Sequence, residues 1–157
     1  MTTPSIRITL AALTTAALLL SPTTVHAQSR YTYSAPGDEV TDSKTGLTWR
    51  RCSEGQTWRG SACTGTAATF THEGAVTQAK TQVGWRLPNV KELVSIVDKT
   101  RSTPAIETTV FPATPSGWYW TATPYAGEAS FAWSVSFNVG YVNGNYRNSS
   151  LHIRLVR

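Results

Sequence analysis

The clearest periodic signal in the chain is Phe131-Ala132-Trp133-Ser134-Val135-Ser136-Phe137, where large apolar and small residues alternate without a break. A period of two puts Phe131, Trp133, Val135 and Phe137 on one face of a β-strand and Ala132, Ser134 and Ser136 on the other. Trp118 to Thr123 and Leu151 to Arg157 are predicted as two further strands. Nearer the N-terminus, Val40 to Trp49 reads as strand, turn, strand, because Asp42-Ser43-Lys44-Thr45-Gly46 is turn chemistry between β-formers. Leu47 and Trp49 would then share one face, with Thr48 and Arg50 on the other. The period changes to a helical one twice. Thr71 to Gln82 carries a narrow stripe of Ala75, Val76 and Ala79 behind a capping Thr71. Val90 to about Lys99 carries a broader stripe of Val90, Leu93, Val94, Ile96 and Val97. Two helices packed on a small irregular antiparallel sheet, an α+β layout, is the expectation.

Ahead of the second helix, Gly84-Trp85-Arg86-Leu87-Pro88-Asn89-Val90-Lys91-Glu92-Leu93 is dense in local signals. Asn89 can accept a first-turn N–H and Glu92 can reach back to complete a capping box. Pro88 stops helix from starting earlier and holds Leu87 extended. Trp85, Leu87 and Leu93 are predicted for the core together with Trp49, Trp120 and Trp133. Arg86 is expected to reach a buried carboxylate or carbonyl cluster.

Residues before Gln28 change the picture differently. Arg7, an uncharged apolar run from Ile8 to Leu20, and Val25-His26-Ala27 form the three parts of an export signal. That 13-residue run is short of the roughly 20 residues that span a bilayer. Cleavage after Ala27 would leave 130 residues, one domain's worth, with a net charge of +4 from 13 basic and 9 acidic residues. So mild an excess, without a basic run, fits scattered solvated side chains and argues against nucleic acid as a partner. Residues 28–38 read as a polar linker or edge segment. Export places Cys52 and Cys63 in an oxidising compartment, where they are expected to form a disulfide; metal ligation is the weaker alternative, since their spacing matches no zinc pattern. The small, polar stretch from Cys52 to Phe70 reads as a stapled loop, with Trp58 expected to plug onto the domain.

Candidate chemistry concentrates in Asn138 to Ser150. Tyr rings beside adaptable amides have the composition of a recognition surface, and the same Asn and Gly residues also suit an ordinary pair of hairpin turns. The candidate binding residues are Trp118, Tyr125, Asn138, Tyr141, Asn143, Asn145, Tyr146, Arg147 and Asn148. His72 and His152 are expected to be satisfied or solvent-facing. No nucleophile elbow, phosphate loop or metal-ligand cluster is present, so neither a metal nor a cofactor is expected.

Several of these elements recur together in one family. Val40-Thr41-Asp42 with Thr45-Gly46-Leu47 and Trp49, Cys52 with Gly55-Gln56 and Trp58, Gly84-Trp85-Arg86-Leu87-Pro88 with Lys91-Glu92-Leu93, Phe111-Pro112, Tyr119-Trp120 and the closing Val-Arg resemble the Lcl C-terminal domain family. That family is named for the C-terminal part of a collagen-like bacterial adhesin, and the resemblance runs from about Val40 to Arg157. It implies a C-type-lectin-like fold in which both ends of the domain meet, spanning residues 39–157. The Trp-Arg-Leu-Pro element is also similar to one in sulfatase-modifying, formylglycine-generating enzymes. Those use cysteines in the C-terminal half, and none follows Cys63 here. The calcium-binding loop of C-type lectins is likewise absent. The leader and the composition of the Asn/Tyr-rich segment lead to the expectation of an exported, non-catalytic module, periplasmic or extracellular, binding carbohydrate or an extracellular protein through that segment; glycosaminoglycan binding is what the resemblance adds. A variable receptor of a diversity-generating retroelement is the alternative.

Overall fold

A computed structural model of the chain describes residues 29–157, and the expected export signal lies outside them. Three antiparallel sheets and two helices make up these residues, an α+β arrangement. The first sheet has the order β1 (Tyr31–Tyr33), β2 (Glu39–Asp42), β3 (Thr48–Arg50). Its β2–β3 turn is built on Asp42, whose buried carboxylate accepts Lys44 N–H at 3.0 Å and Thr45 Oγ1–H at 3.1 Å, with Gly46 at a φ of 73°. The same carboxylate takes Arg30 Nε and Nη2 at 2.9 and 2.6 Å, and Arg30 Nη2 also reaches Ser95 O. Burial alone would raise the Asp42 pKa, but these charge-assisted bonds outweigh it and hold the acid below its usual range. Of the two expectations for residues 28–38, a linker or an edge segment, the edge segment is the one seen: Tyr31–Tyr33 is an edge strand of the first sheet. Pairing of Tyr31 to Tyr33 with β2 and burial of the Tyr31 ring against Phe111 draw that segment into the domain.

Cys52 and Cys63 are joined in a disulfide. The loop it closes contains a two-stranded sheet of β4 (Thr57–Trp58) and β5 (Cys63–Thr64). Trp58 does lie against the domain, half-buried, donating Nε1–H to Pro36 O at 2.8 Å beneath the Arg51 guanidinium.

Helix α1 (His72–Lys80) is capped by Thr71, and α2 (Val90–Ser95) by the full Asn89/Glu92 capping box. Glu92 Oε2 accepts the Asn89 N–H at 2.7 Å while Asn89 Oδ1 accepts the Glu92 N–H at 2.9 Å. Arg86 forks onto both Glu92 oxygens at 2.7 and 2.9 Å. Arg86 is thus an exposed clamp across the Pro88 stop, and the buried cluster expected for it is corrected. Helix α2 is also shorter than its apolar period. Ile96 leaves the helical region at φ −99°, ψ 3°, and the apolar residues continue into a loop where Asp98 N–H bonds Ala105 O.

The central sheet is β6 (Trp118–Pro124), β7 (Phe131–Ser136) and β8 (Val142–Tyr146), with β7 in the middle. Its register aligns Tyr119 with Val135 and Val135 with Val142 on one face, and Trp120 with Ser134 and Ser134 with Asn143 on the other. Both faces are buried. Tyr119, Val135 and Phe137 pack with Leu93 of α2, Val40, Trp49 and Phe111. Trp120 and Ala132 pack with Ala75 and Ala79 of α1, Leu87, Ile153 and Leu155. A small residue at position 132 or 134 is what lets a second layer approach the sheet, so alternation in β7 marks two buried faces of different depth.

Leu151 to Arg157 differs from its prediction as a sheet strand. The extended segment bridges Phe70 at Leu151, Tyr119 at His152, and both Trp49 and Arg86 at Val156. It changes partner every few residues, so no continuous ladder forms. Arg154 is fully buried within it and donates Nη1–H to the carbonyls of Arg50 and Arg51 and Nη2–H to Ser53 Oγ and Thr114 Oγ1. No helix among the described residues is long and apolar enough to cross a membrane.

The tryptophans separate by depth. Trp49 and Trp120 are fully buried, whereas Trp85 is half-buried, held between the Arg50 and Arg157 guanidinium groups at 4.8 and 4.7 Å. Trp85 is therefore a peripheral stack, a correction to its expected core role. Replacing Trp120 with Ala is expected to cost about 3–5 kcal/mol in urea unfolding, and Trp85→Ala clearly less. Removing both cysteines as Cys52→Ser/Cys63→Ser should lower stability by about 2–4 kcal/mol in the same assay, an effect absent when the native protein is unfolded under reducing conditions.

Candidate functional site

The stretch from Asn138 to Ser150 does not form one loop. It divides into a hairpin turn, a strand and a segment beside α1, so its candidate residues reach three separate places. At the turn, Asn138 is committed to a neighbouring loop: its backbone O accepts Thr103 N–H at 2.7 Å and its Oδ1 accepts Thr103 Oγ1–H at 3.2 Å. Tyr141 stands in solvent at 69% exposure while its carbonyl closes the hairpin on Ser136 N–H.

Asn143, Asn145 and Tyr146 lie on β8. Asn145 points to the inner face and donates Nδ2–H to Ser134 Oγ at 2.7 Å, and Asn143 Oδ1 accepts the Gly144 N–H at 3.0 Å. Tyr146 is aligned with Phe131 on the face that carries Trp133, and the Phe131 and Tyr146 rings stack at 4.2 Å between centroids. Tyr125, arriving from the β6–β7 loop, covers Trp133 at 4.7 Å and approaches Phe131 at 5.9 Å. Tyr125 can lie this close only because position 144 is glycine: a Cβ there would stand 2.8 Å from its ring. At this end of the sheet Phe131 and Trp133 are half-buried and lie outside the buried cluster that joins this face to the first sheet and α2. The rings of Tyr125, Phe131, Trp133 and Tyr146 form a partly exposed aromatic platform. A notch of about 350 Å³ opens beside it, lined by Tyr125, Glu128, Phe131, Asn143 and Gly144.

Trp133 is half-buried under Tyr125. Its expected place in the core is corrected, because the core ends one β7 pair earlier, at Val135. Trp118 sits at the far end of β6, opposite Ser136, and shares the parity of Trp120. It is brought neither to the platform nor to its face. Phe131, Glu128 and Gly144 were not candidates from the sequence. The alternation did place Phe131 and Trp133 on one face, but no local signal marks where that face stops being covered.

Arg147 and Asn148 belong to a third place, a groove of about 500 Å³ with Thr71, His72, Glu73 and Val76 at the start of α1. Arg147 donates Nε–H to Phe131 O at 3.1 Å and Nη1–H to His72 Nδ1 at 3.1 Å. His72 in turn donates Nε2–H to Thr121 O at 3.0 Å. These partners assign the tautomer: Nε2 carries the proton, and Nδ1 faces a cation. Burial lowers the His72 pKa most, the Thr121 carbonyl opposes this, and the Arg147 charge lowers it further. A neutral imidazole locked on both nitrogens, edge-on to Trp120 at 5.2 Å, is a structural post and leaves no nitrogen for chemistry. His152 uses Nδ1 on Ala68 O at 3.1 Å. Among the described residues no group of three or more His, Cys, Asp or Glu side chains is placed to hold a metal ion.

The aligned features of this chain agree with a family model. The model of the Lcl C-terminal domain matches residues 38–157. The chain belongs to the Lcl C-terminal domain family. A comparison with curated proteins finds no match. Within this Lcl C-terminal domain, the family-typical residues between Gly84 and Leu93 serve the α2 start, and the platform lies elsewhere, on β7 and β8.

The His72 arrangement has a pH signature. Its folded pKa lies below the unfolded value of 6.5, so the unfolded chain binds the extra proton first. Stability is expected to be unaffected above that pH and to fall as pH drops from 6.5 towards the folded value. Asp42 and Glu92, held below their ordinary 3.8 and 4.5, lose their contributions only at lower pH. Thermal melts at pH 7.5, 6 and 5 should show the loss, and His72→Gln should flatten it across that window; an unchanged slope in the variant would exclude His72 as its source.

Proposed function

We propose that this protein is an exported, non-catalytic binding module of C-type-lectin-like fold that recognises carbohydrate through the aromatic platform of Tyr125, Phe131, Trp133 and Tyr146. The export reading rests on the leader sequence before Gln28. The fold reading draws support from two helices on either side of an irregular central sheet and from the C-terminal Val156 bridging Trp49 near the start of the domain. The carrying observation for function is the platform itself: four rings on a sheet face that the core leaves uncovered, beside a notch with an amide and a carboxylate.

Exposed rings at this density need a reason, since isolated apolar side chains are ordinary on a surface and contiguous ones are not. Of the four platform rings Tyr146 is exposed and Tyr125, Phe131 and Trp133 are half-buried, so together they present one contiguous partly exposed aromatic surface. Flat rings offer the C–H face of a pyranose a stacking surface, and the two χ angles of a Tyr limit the entropy lost on binding. The Glu128 carboxylate at the notch supplies a directional contact for hydroxyls. A sulfated glycosaminoglycan finds no complement at the notch, because Glu128 is the one charged residue lining it.

Tyr125→Ala and Tyr146→Ala are expected to reduce retention of the exported chain on a glycan array at least tenfold while shifting the melting temperature little, since both rings are partly exposed. Trp118→Ala and Tyr141→Ala, away from the platform, should retain binding. Equal retention by all four variants would refute the assignment of the platform.

A further inference from the structure

We infer that the notch beside the platform takes the protonated amine of an amino sugar. This rests on the carbohydrate reading above and adds a charge to the ligand. Three features of the notch point to a cation. Its walls include the rings of Tyr125 and Phe131, with Tyr146 stacked behind Phe131, and aromatic faces attract ammonium groups through their quadrupoles. Its one charged lining residue is a carboxylate. Glu128 forms no ion pair among the described residues, and its Oε1 is oriented by Ser130 Oγ–H at 3.0 Å and Ser130 N–H at 3.4 Å. This leaves Oε2 for a ligand.

The third feature is the direction of the Arg147 side chain. Arg147 follows β8 directly, yet its guanidinium is spent on Phe131 O and His72 Nδ1, on the α1 side of the sheet, so it does not neutralise Glu128. Asn143 also borders the notch, its Oδ1 engaged by Gly144 N–H. A hexosamine bearing a free amine meets the rings and the carboxylate at once, with its C–H face on the rings and its ammonium at Glu128. N-acetylation would remove the charge and add bulk at the carboxylate.

The test compares binding of the chain from Gln28 to Arg157 to immobilised glucosamine oligomers and to their fully N-acetylated counterparts, with Nα-acetyl-lysine amide and choline as free competitors. The amine oligomer is expected to bind roughly tenfold tighter, the scale of one exposed cation–π contact combined with one exposed ion pair. Glu128→Gln should abolish that preference while leaving the weaker binding of the acetylated oligomer, and Tyr125→Ala should abolish both. Equal binding of the two oligomers, or a preference that survives Glu128→Gln, overturns the amine assignment and leaves the carbohydrate reading standing. Binding of neither oligomer to the unsubstituted chain overturns both. Direct binding of the lysine amide or choline, read by titration calorimetry, with no retention on either oligomer places the cation on a peptide or a lipid headgroup and overturns the sugar.

Discussion

The guanidinium of Arg154 holds together parts of the chain that otherwise share little. It is wholly buried and faces no carboxylate. Its charge is met by the carbonyls of Arg50 and Arg51 and the hydroxyls of Ser53 and Thr114, with the Phe111 ring 4.8 Å away. Burial lowers its pKa, but an arginine in this setting stays charged, so the surrounding oxygens are required to compensate it. Each comes from a different structural feature: the end of β3, the residue after Cys52, and the loop before β6. Ser53 Oγ also bonds Tyr119 OH at 2.7 Å, which carries the network into the central sheet. The closing segment therefore acts as a cross-tie, and its changing bridges follow from serving several partners instead of one.

Around that tie, the β6–β8 sheet is a middle layer. Helix α1 and the C-terminal segment cover one face; α2, the first sheet and the Ile106–Phe111 region cover the other. The second covering is shorter than the strands. Past Val135 the same face continues into the half-buried Trp133 and Phe131, on which Tyr125 and Tyr146 stack. The candidate site is thus a continuation of the core beyond its lid, which explains why its residues have the apolar, alternating character of core positions. The first face continues towards Arg147 and His72, where a closed chain of hydrogen bonds, Arg147 to His72 to Thr121, consumes the polar groups. The two grooves therefore differ in what they offer: in one, Arg147 and His72 already satisfy each other, while the other has partly exposed rings beside the Glu128 carboxylate.

Much of this was legible in the chain because it is encoded locally. The capping box at Asn89 and Glu92, the Thr71 cap, the Asp42 turn, the pairing of β2 with β3 and the alternation of β7 each depend on residues a few positions apart. Chain geometry alone selects their conformations. The disulfide was legible from there being two cysteines behind an expected export signal. What failed to be legible involved competition between distant segments. The apolar period past Ile96 does not reveal that Arg30 bonds the Ser95 carbonyl at the end of α2. The Asn- and Gly-rich composition of 138–150 does not reveal a strand, because β8 is specified by its partner β7.

The amino-acid sequence by itself determined the α+β class, both helix starts, the turn and strand between Val40 and Trp49, and a cluster of Tyr and Asn near the C-terminus. Periodicity and capping are short-range physics, and they suffice for that. Only the tertiary structure decided that Trp49 and Trp120 are interior while Trp85 and Trp133 are peripheral, that Arg86 is a surface clamp and Arg154 the buried cation, and that the candidate residues separate into three places. Depth is a property of the layers stacked on an element, and a side chain cannot report from sequence whether the layer above it extends that far.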